Sequence, residues 1–234
     1  MVMAIKPHDM AKMIDHTLLK STATVEDVRR LCSEAKKYEF ASVCVNPIFV
    51  PLASKLLNNS SVKVTTVVGF PLGANTTEIK VFETRNAIKN GAQEIDMVIN
   101  LGAFKSGAKD MVQTDVKAVV DATKTASVSS DIIVKVIIET CFLNEDEIIE
   151  TSNIARIAGA DFIKTSTGFA DYGATAEAVS LIRKTVGRDI GVKASGGIKN
   201  YEQALTMLDA GANRIGTSSG VIIVTGQNNS EEVS

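Results

Sequence analysis

Four short apolar stretches of the sequence each carry an ionisable residue. They span residues 94–100, 132–139, 161–166 and 190–195, and their charged residues are Asp96, Lys135, Lys164 and Lys193. Side chains alternate between the two faces of an extended strand, so each of these charges lies opposite the aliphatic residues beside it. Glu94 and Glu139 share the faces of Asp96 and Lys135. The spacing therefore predicts that these charges point into one interior, away from an aliphatic outer face.

Lysines that share an interior can do carbonyl chemistry. Loss of solvent and repulsion between like charges both disfavour the ammonium form, so at least one lysine pKa is expected to fall. A neutral lysine amine is a nucleophile toward aldehydes and ketones. The pattern therefore predicts Schiff-base formation by one lysine, with Asp96 as its charged neighbour.

The competing interpretation is a buried salt-bridge network that only fills the interior. Burying an ion costs on the order of several kcal/mol before pairing returns that energy, and aliphatic side chains would fill the same volume more simply. Clusters of perturbed ionisable groups are typical of functional sites. We therefore favour a catalytic role for the charges.

Two glycine-bearing segments follow the last two predicted strands. They are Ser195-Gly196-Gly197-Ile198 and Gly216-Thr217-Ser218-Ser219-Gly220. Glycine lets backbone N–H groups approach an anion, and a short helix opened after Ser219 would favour phosphate at its N-terminus. Either segment alone could be a simple tight turn. Their occurrence after two adjacent strands favours a phosphate site.

The elements that position these residues are predicted from periodicity. Eight β-branched runs alternate with amphipathic stretches, and these runs span residues 13–19, 41–45, 62–68, 94–100, 132–139, 161–166, 190–195 and 214–217. Helices over residues 25–38 and 145–158 begin with capping boxes, Thr24 with Asp27 and Asn144 with Glu147. Eight strand–helix units predict the α/β class and a single (β/α)₈ TIM barrel, with the charges in its lumen. We expect the barrel to occupy residues 1–224 and residues 225–234 to form a flexible polar tail.

Composition excludes several classes of protein. The chain has 234 residues, 45% of them apolar and 22% charged, which is typical of a folded globular protein. A net charge of −2, 5% aromatic residues and no Trp argue against nucleic-acid binding. No apolar run approaches the roughly 18 to 20 residues of a membrane span. Three widely spaced cysteines predict free thiols in the cytoplasm, and only two histidines, His8 and His16, predict chemistry without a metal.

Two further motifs are interpreted as non-catalytic. The segment from Gly216 to Gly220 matches the G-x-S-x-G nucleophile elbow, but a serine hydrolase of that type requires a histidine after the serine, and both histidines precede it. Cys44 has no histidine placed to activate it and is expected to be a small core residue.

Five segments together resemble the 2-deoxy-D-ribose-5-phosphate aldolase family. They are Asp15-His16-Thr17-Leu18-Leu19, Glu94-Ile95-Asp96-Met97-Val98, Lys135-Val136-Ile137-Ile138-Glu139-Thr140, Phe162-Ile163-Lys164-Thr165-Ser166-Thr167-Gly168 and Val192-Lys193-Ala194-Ser195-Gly196-Gly197. The resemblance covers nearly the whole chain, in order. It implies a class I aldolase on a (β/α)₈ barrel that needs no metal or other cofactor.

The resemblance also implies roles for individual residues. Lys164 would form the Schiff base, and Lys193 with Asp96 would transfer protons. Asp15 and Lys135 would belong to the substrate-binding set, Lys135 within the same polar network. Phosphate contacts would come from Gly168, Gly196, Gly197, Gly216, Ser218 and Ser219.

The sequence departs from some members of this family at two places. Phe169 stands where some relatives have a lysine beside the phosphate. The last tyrosine is Tyr201, whereas some relatives end in a tyrosine that reaches the site.

The expected partners are a sugar phosphate and further copies of this chain. Two alternatives stay open: a Schiff-base aldolase for a different sugar phosphate, and a barrel that binds a sugar phosphate without catalysis.

Overall fold

The computed structural model describes residues 5–126 and 132–226, and these form a closed barrel of eight parallel strands in sequential order. The strands are β1 Ile14–Leu18, β2 Ser42–Val45, β3 Lys63–Val68, β4 Glu94–Val98, β5 Ile133–Ile137, β6 Phe162–Lys164, β7 Gly191–Ser195 and β8 Arg214–Thr217. All eight predicted runs contain a strand, so the predicted TIM barrel is confirmed.

Helices alternate with the strands along the chain. They are α1 Pro7–Ala11, α2 Val25–Tyr38, α3 Val50–Leu56, α4 Thr77–Lys89, α5 Leu101–Lys105, α6 Lys109–Ala126, α7 Glu145–Ile157, α8 Ala176–Val186, α9 Tyr201–Asp209 and α10 Gly220–Thr225, with 3₁₀ turns at Pro47–Phe49 and Thr140–Phe142. Both predicted capping boxes are present, at the starts of α2 and α7. No helix in the described ranges is long and apolar enough to cross a membrane. The predicted tail begins at Thr225, the last residue of α10, and its positions 227–234 lie outside the described residues.

Strand alternation separates aliphatic from charged side chains as predicted. Ile95, Met97, Val134, Val136 and Ile163 are at most 1% exposed and belong to the apolar cluster that includes buried residues of the surrounding helices. Asp96, Lys135, Lys164 and Lys193 are also buried, on the opposite side of their strands. The aliphatic layer therefore holds the barrel together from outside while the lumen carries charge.

Several predicted strands end earlier than the sequence indicated. The run predicted over 132–139 forms a strand only over Ile133–Ile137. Glu139 adopts a left-handed backbone conformation with φ of 52°, which is incompatible with continued strand geometry. Its buried carboxylate instead accepts hydrogen bonds from the backbone N–H and the hydroxyl of Thr167. The carboxyl end of β5 is thereby tied to the loop after β6.

Candidate active site

A cavity of about 570 Å³ opens among the loops that follow β1, β6, β7 and β8. These loops lie at the carboxyl end of the barrel, where the active sites of such barrels are found. Seven of the residues expected in the site line the cavity: Lys164, Gly168, Gly196, Gly197, Gly216, Ser218 and Ser219. Phe169 lines it as well. The structure therefore brings the predicted lysine and the predicted phosphate wall to one space.

The inner end of the cavity is built around Asp96. The Lys164 Nζ lies 2.8 Å from Asp96 Oδ2, and the Lys193 Nζ lies 2.7 Å from the same oxygen. The Lys135 Nζ lies 2.9 Å from the other oxygen, Oδ1. Of these three lysines, Lys164 is the one that lines the cavity. The other two are fully buried beneath it.

A second layer of charges lies below Asp96. The Asp15 Oδ2 is 2.5 Å from the Lys193 Nζ, and its Oδ1 accepts hydrogen bonds from Ser42 at 2.7 Å and from Arg214 at 2.6 Å. Glu94 is 2.5 Å from the Lys135 Nζ and 3.2 Å from Arg214 Nη1. Sequence analysis paired the lysines with one aspartate, and the structure adds two more carboxylates and a guanidinium. Asp15 and Lys135 therefore lie under the cavity wall in this arrangement, fully buried.

The two lysines that share Asp96 Oδ2, Lys164 and Lys193, have opposite pKa shifts. Burial lowers the pKa of Lys164, and the ammonium of Lys193 lowers it further. Asp96 acts in the opposite direction, but the pKa of Lys164 still lies below its ordinary value. Burial also acts to lower the pKa of Lys193, but the carboxylates of Asp15 and Asp96 outweigh it and raise that pKa. Burial would raise the pKa of Asp96, yet its three lysine neighbours hold it well below the usual range. Lys164 is thus the lysine that most readily becomes neutral, beside an ionised aspartate and a fixed cation.

The glycine segments give the cavity a wall of backbone. Gly196 and Gly197 adopt φ values of 88° and 79°, a left-handed conformation that other residues rarely adopt. A Cβ atom at Gly216 would lie 2.9 Å from Lys193 Cε and 2.3 Å from Ser195 Oγ, so only glycine leaves room for these side chains. The exposed lysines Lys20 and Lys199 also line the cavity. This side can offer N–H groups, hydroxyls and two ammonium groups to an anion.

The two departures from the family pattern have clear places in the structure. The Phe169 ring is 55% exposed and contacts the Phe70 ring edge-on, with centroids 5.3 Å apart. This aromatic pair joins the loop after β3 to the loop after β6. The Tyr201 hydroxyl donates a hydrogen bond to the carbonyl of Ile5, 2.8 Å away. Tyr201 therefore fastens the N-terminal segment to α9.

Sequence reasoning missed two parts of the site. The end of β1 and the loop after it, from Thr17 to Thr22, line the cavity, and the only signal for the loop was its position after a strand. Arg214 was missed although its signal was present. Strand alternation in Arg214–Thr217 places Arg214 and Gly216 on the face opposite to Ile215.

Cys44 is a fully buried residue packed with Leu19 and Val67, as expected. Within the described ranges, no group of three or more His, Cys, Asp or Glu side chains is placed to hold a metal ion.

Comparison with known proteins assigns the chain to a family. The sequence profile of the DeoC/LacD family of aldolases matches residues 9–226. The deoxyribose-phosphate aldolase of Geobacillus sp. (strain WCH70) is 58% identical over 220 residues, covering 94% of this chain and 96% of the relative. That of Streptococcus gordonii (strain Challis) is 57% identical over 216 residues, covering 92% of this chain and 96% of the relative.

Solved structures of aldolases share the fold. The aldolase QR15 is 45% identical and superposes with a TM-score of 0.87, covering 93% of this chain and 95% of its own. The deoxyribose phosphate aldolase of Aeropyrum pernix, described as a tetramer, is 36% identical with a TM-score of 0.86, covering 94% and 91% of the two chains. Barrel, cavity, sequence profile and relatives agree, and the chain belongs to the DeoC/LacD family of aldolases, which are carbon–carbon lyases.

Proposed function

We propose that this aldolase reversibly cleaves 2-deoxy-D-ribose 5-phosphate to D-glyceraldehyde 3-phosphate and acetaldehyde through a Schiff base on Lys164. The observation that carries the proposal is the position of Lys164. Its side chain reaches the cavity, its pKa is lowered by burial and by Lys193, and Asp96 lies 2.8 Å from its Nζ. A neutral amine at this point is a nucleophile aimed at the space where an aldehyde would bind.

The reaction follows from the electron-sink property of an iminium ion. The neutral Lys164 amine attacks C1 of the open-chain sugar, and loss of water gives the iminium. The C2–C3 bond then breaks as the C3 hydroxyl loses its proton. The electron pair of the broken bond moves into the iminium and forms an enamine. Protonation of the enamine at C2 and hydrolysis release acetaldehyde and restore the amine.

Asp96 and Lys193 serve this sequence in different ways. Asp96 stays ionised and, through a water molecule, can accept the C3 hydroxyl proton and return it to C2. The raised pKa of Lys193 keeps it cationic, so its main contribution is to favour neutral Lys164 and to fix Asp96, to which it bonds at 2.7 Å. Asp15 and Lys135 hold these groups from below. The chemistry is carried by side chains, without a cofactor.

The phosphate is proposed to bind at the glycine wall. Gly168, Gly196, Gly197, Gly216, Ser218 and Ser219 line the cavity that Lys164 also lines, so their backbone N–H groups and the two hydroxyls are the proposed donors. A hydrogen bond to a charged group is worth about 1.5 to 3 kcal/mol, so several can hold a phosphate without an ammonium at position 169. Lys20 and Lys199 add positive charge at the rim.

A panel of substrates tests the reaction and its specificity. We expect release of acetaldehyde and glyceraldehyde 3-phosphate from deoxyribose 5-phosphate, with kcat/KM at least about 10²-fold above that for unphosphorylated deoxyribose, because the phosphate hydrogen bonds are lost. Both products are measured by chromatography. Faster cleavage of another sugar phosphate would identify the chain as an aldolase of different specificity. Tight binding without cleavage would identify a non-catalytic barrel, and either result contradicts the proposal.

We further propose that the protein works in the cytoplasm as a homo-oligomer. Cys32, Cys44 and Cys141 are all unpaired thiols, which suits a reducing compartment. Large apolar side chains that follow the neighbouring strands β2 and β3 are exposed, namely Ile48 at 79%, Leu72 at 75% and Phe82 at 68%. Exposed apolar residues on adjacent segments are typical of a surface covered by another copy.

A further inference from the structure

Arg214 lies at the end of the barrel opposite the cavity. It is the first residue of β8, and its side chain is 13% exposed. Its guanidinium lies 2.6 Å from Asp15 and 3.2 Å from Glu94, and its central carbon lies 5.7 Å from the centre of the Phe162 ring. Residues at this end of such barrels usually contribute to stability, and active-site residues lie at the other end. The contacts of Arg214 indicate a second role.

Two chains of ion pairs connect Arg214 to Asp96. One runs from Asp15 to Lys193 at 2.5 Å and from Lys193 to Asp96 at 2.7 Å. The other runs from Glu94 to Lys135 at 2.5 Å and from Lys135 to Asp96 at 2.9 Å. Asp96 in turn binds Lys164. Every link outside Arg214 is buried, so these charges are poorly screened by water.

The charges in this network balance when one of its basic groups is neutral. In the described lumen the basic groups are Lys135, Lys164, Lys193 and Arg214, and the acidic groups are Asp15, Glu94 and Asp96. With all seven ionised the cluster carries one excess positive charge, and loss of a proton from Lys164 removes it. Lys164 is the lysine of this cluster whose pKa is lowered, since burial acts on it with a single carboxylate neighbour.

The carboxylate of Glu139, beyond the end of β5, accepts hydrogen bonds from Thr167 and takes no part in the ion pairs of this network. The buried lumen-facing side chains of β2 and β3 add no charge. From β2 come the hydroxyl of Ser42 and the thiol of Cys44, and from β3 the hydroxyl of Thr65. Burial raises the pKa of the Cys44 thiol to about 11, so it is neutral near pH 7.

We propose that Arg214 is a positioning residue that favours the neutral form of Lys164. It acts across the barrel through Asp15 and Glu94. Its positive charge helps to balance the three carboxylates, so the network needs no positive charge on Lys164. The inference rests on the proposed role of Lys164. Without the Arg214 charge, three basic and three acidic groups would balance with Lys164 protonated. A buried network in low dielectric favours the balanced state.

The test is the pH profile of imine formation at Lys164, measured by trapping the acetaldehyde imine with cyanoborohydride and locating it by mass spectrometry. In Arg214→Gln we expect the profile to move up by about one pH unit, as for loss of an interacting charge. The trapping rate at pH 7 falls by about tenfold, because each unit leaves tenfold less neutral amine. The rate recovers at higher pH, which a merely structural defect would not produce.

Matched variants separate charge from packing. Arg214→Lys keeps the charge and is expected to retain the wild-type profile. Ser42→Ala removes a hydrogen bond to the same Asp15 oxygen without changing charge, and its profile should stay in place. Glu94→Gln removes an acidic group and should move the profile to lower pH, the opposite direction. This sign reversal keeps the test decisive if Arg214→Gln fails to fold.

The outcomes distinguish the inference from the proposed function. If the wild-type protein forms no imine at Lys164, the proposed function is wrong, and the inference falls with it. If the wild type forms the imine but Arg214→Gln only lowers the rate equally at every pH, the inference alone is wrong. A shift of Glu94→Gln in the same direction as Arg214→Gln would also overturn it.

Discussion

Replacement of Lys164 by methionine is expected to abolish aldol cleavage while the barrel still folds. Methionine is one atom shorter than lysine and fills most of the same volume but has no amine, so the iminium cannot form. Loss of a covalent nucleophile costs kcat more than about 10³-fold. Asp96 keeps its contacts to Lys135 and Lys193, so no buried carboxylate is left without a cation. The kcat for deoxyribose 5-phosphate and the thermal unfolding midpoint are the quantities to measure.

Lys164→Arg is the matched control for charge. Arginine keeps a cation beside Asp96 but stays protonated at neutral pH, so it cannot act as a nucleophile. Both variants are therefore expected to be inactive. Substantial turnover by Lys164→Arg would mean that the positive charge, and not the amine, is what the reaction uses, contrary to the mechanism.

Replacement of Lys193 by methionine is expected to lower kcat by at least about 10²-fold, the usual scale for losing a positioned group of a proton-transfer system. The repulsion that Lys193 exerts on Lys164 disappears, and Lys164 becomes the only lysine on Asp96 Oδ2. Both changes favour the ammonium form, so the pKa of Lys164 rises. The neutral fraction at pH 7 falls, and the pH profile of imine formation is expected to move to higher pH.

Lys80→Met supplies the control for losing a buried lysine elsewhere. Lys80 is fully buried on α4, where its Nζ lies 2.5 Å from Asp115 and 2.9 Å from the carbonyl oxygen of Val98. Its loss leaves Asp115 without its cation, which destabilises a protein by about 3 to 5 kcal/mol. We expect a lower unfolding midpoint with an unchanged pH profile. An equal shift in both variants would contradict the repulsion between Lys193 and Lys164.

The inward lysines could be predicted because strand alternation is a local property. Within β4 and β5, the neighbours of Asp96 and Lys135 on each side are aliphatic, so the face of each charge is determined by its own strand. The starts of α2 and α7 could be predicted for a similar reason. Each capping box lies within four consecutive residues.

The ion-pair network could not be predicted in the same way. Which charges meet depends on the stagger between strands, and the stagger is a property of barrel closure. Lys193 lies beside Arg214 across β7 and β8, whereas Asp15 lies beside Gly216 across β8 and β1. These partners are separated by up to about two hundred positions in sequence. The loop after β1 has no periodicity, so its place at the cavity followed only from the assembled barrel.

Borohydride trapping with acetaldehyde tests the central claim most directly. The protein is incubated with acetaldehyde, reduced, digested and analysed by peptide mass spectrometry. The mechanism predicts one reduced two-carbon unit, on Lys164, because this lysine reaches the cavity and has the lowered pKa. Lys164→Met, treated in parallel, should acquire no label at the buried Lys135 or Lys193. Stable modification of Lys193 in the wild-type protein with Lys164 untouched, or no modification of either, would contradict the account.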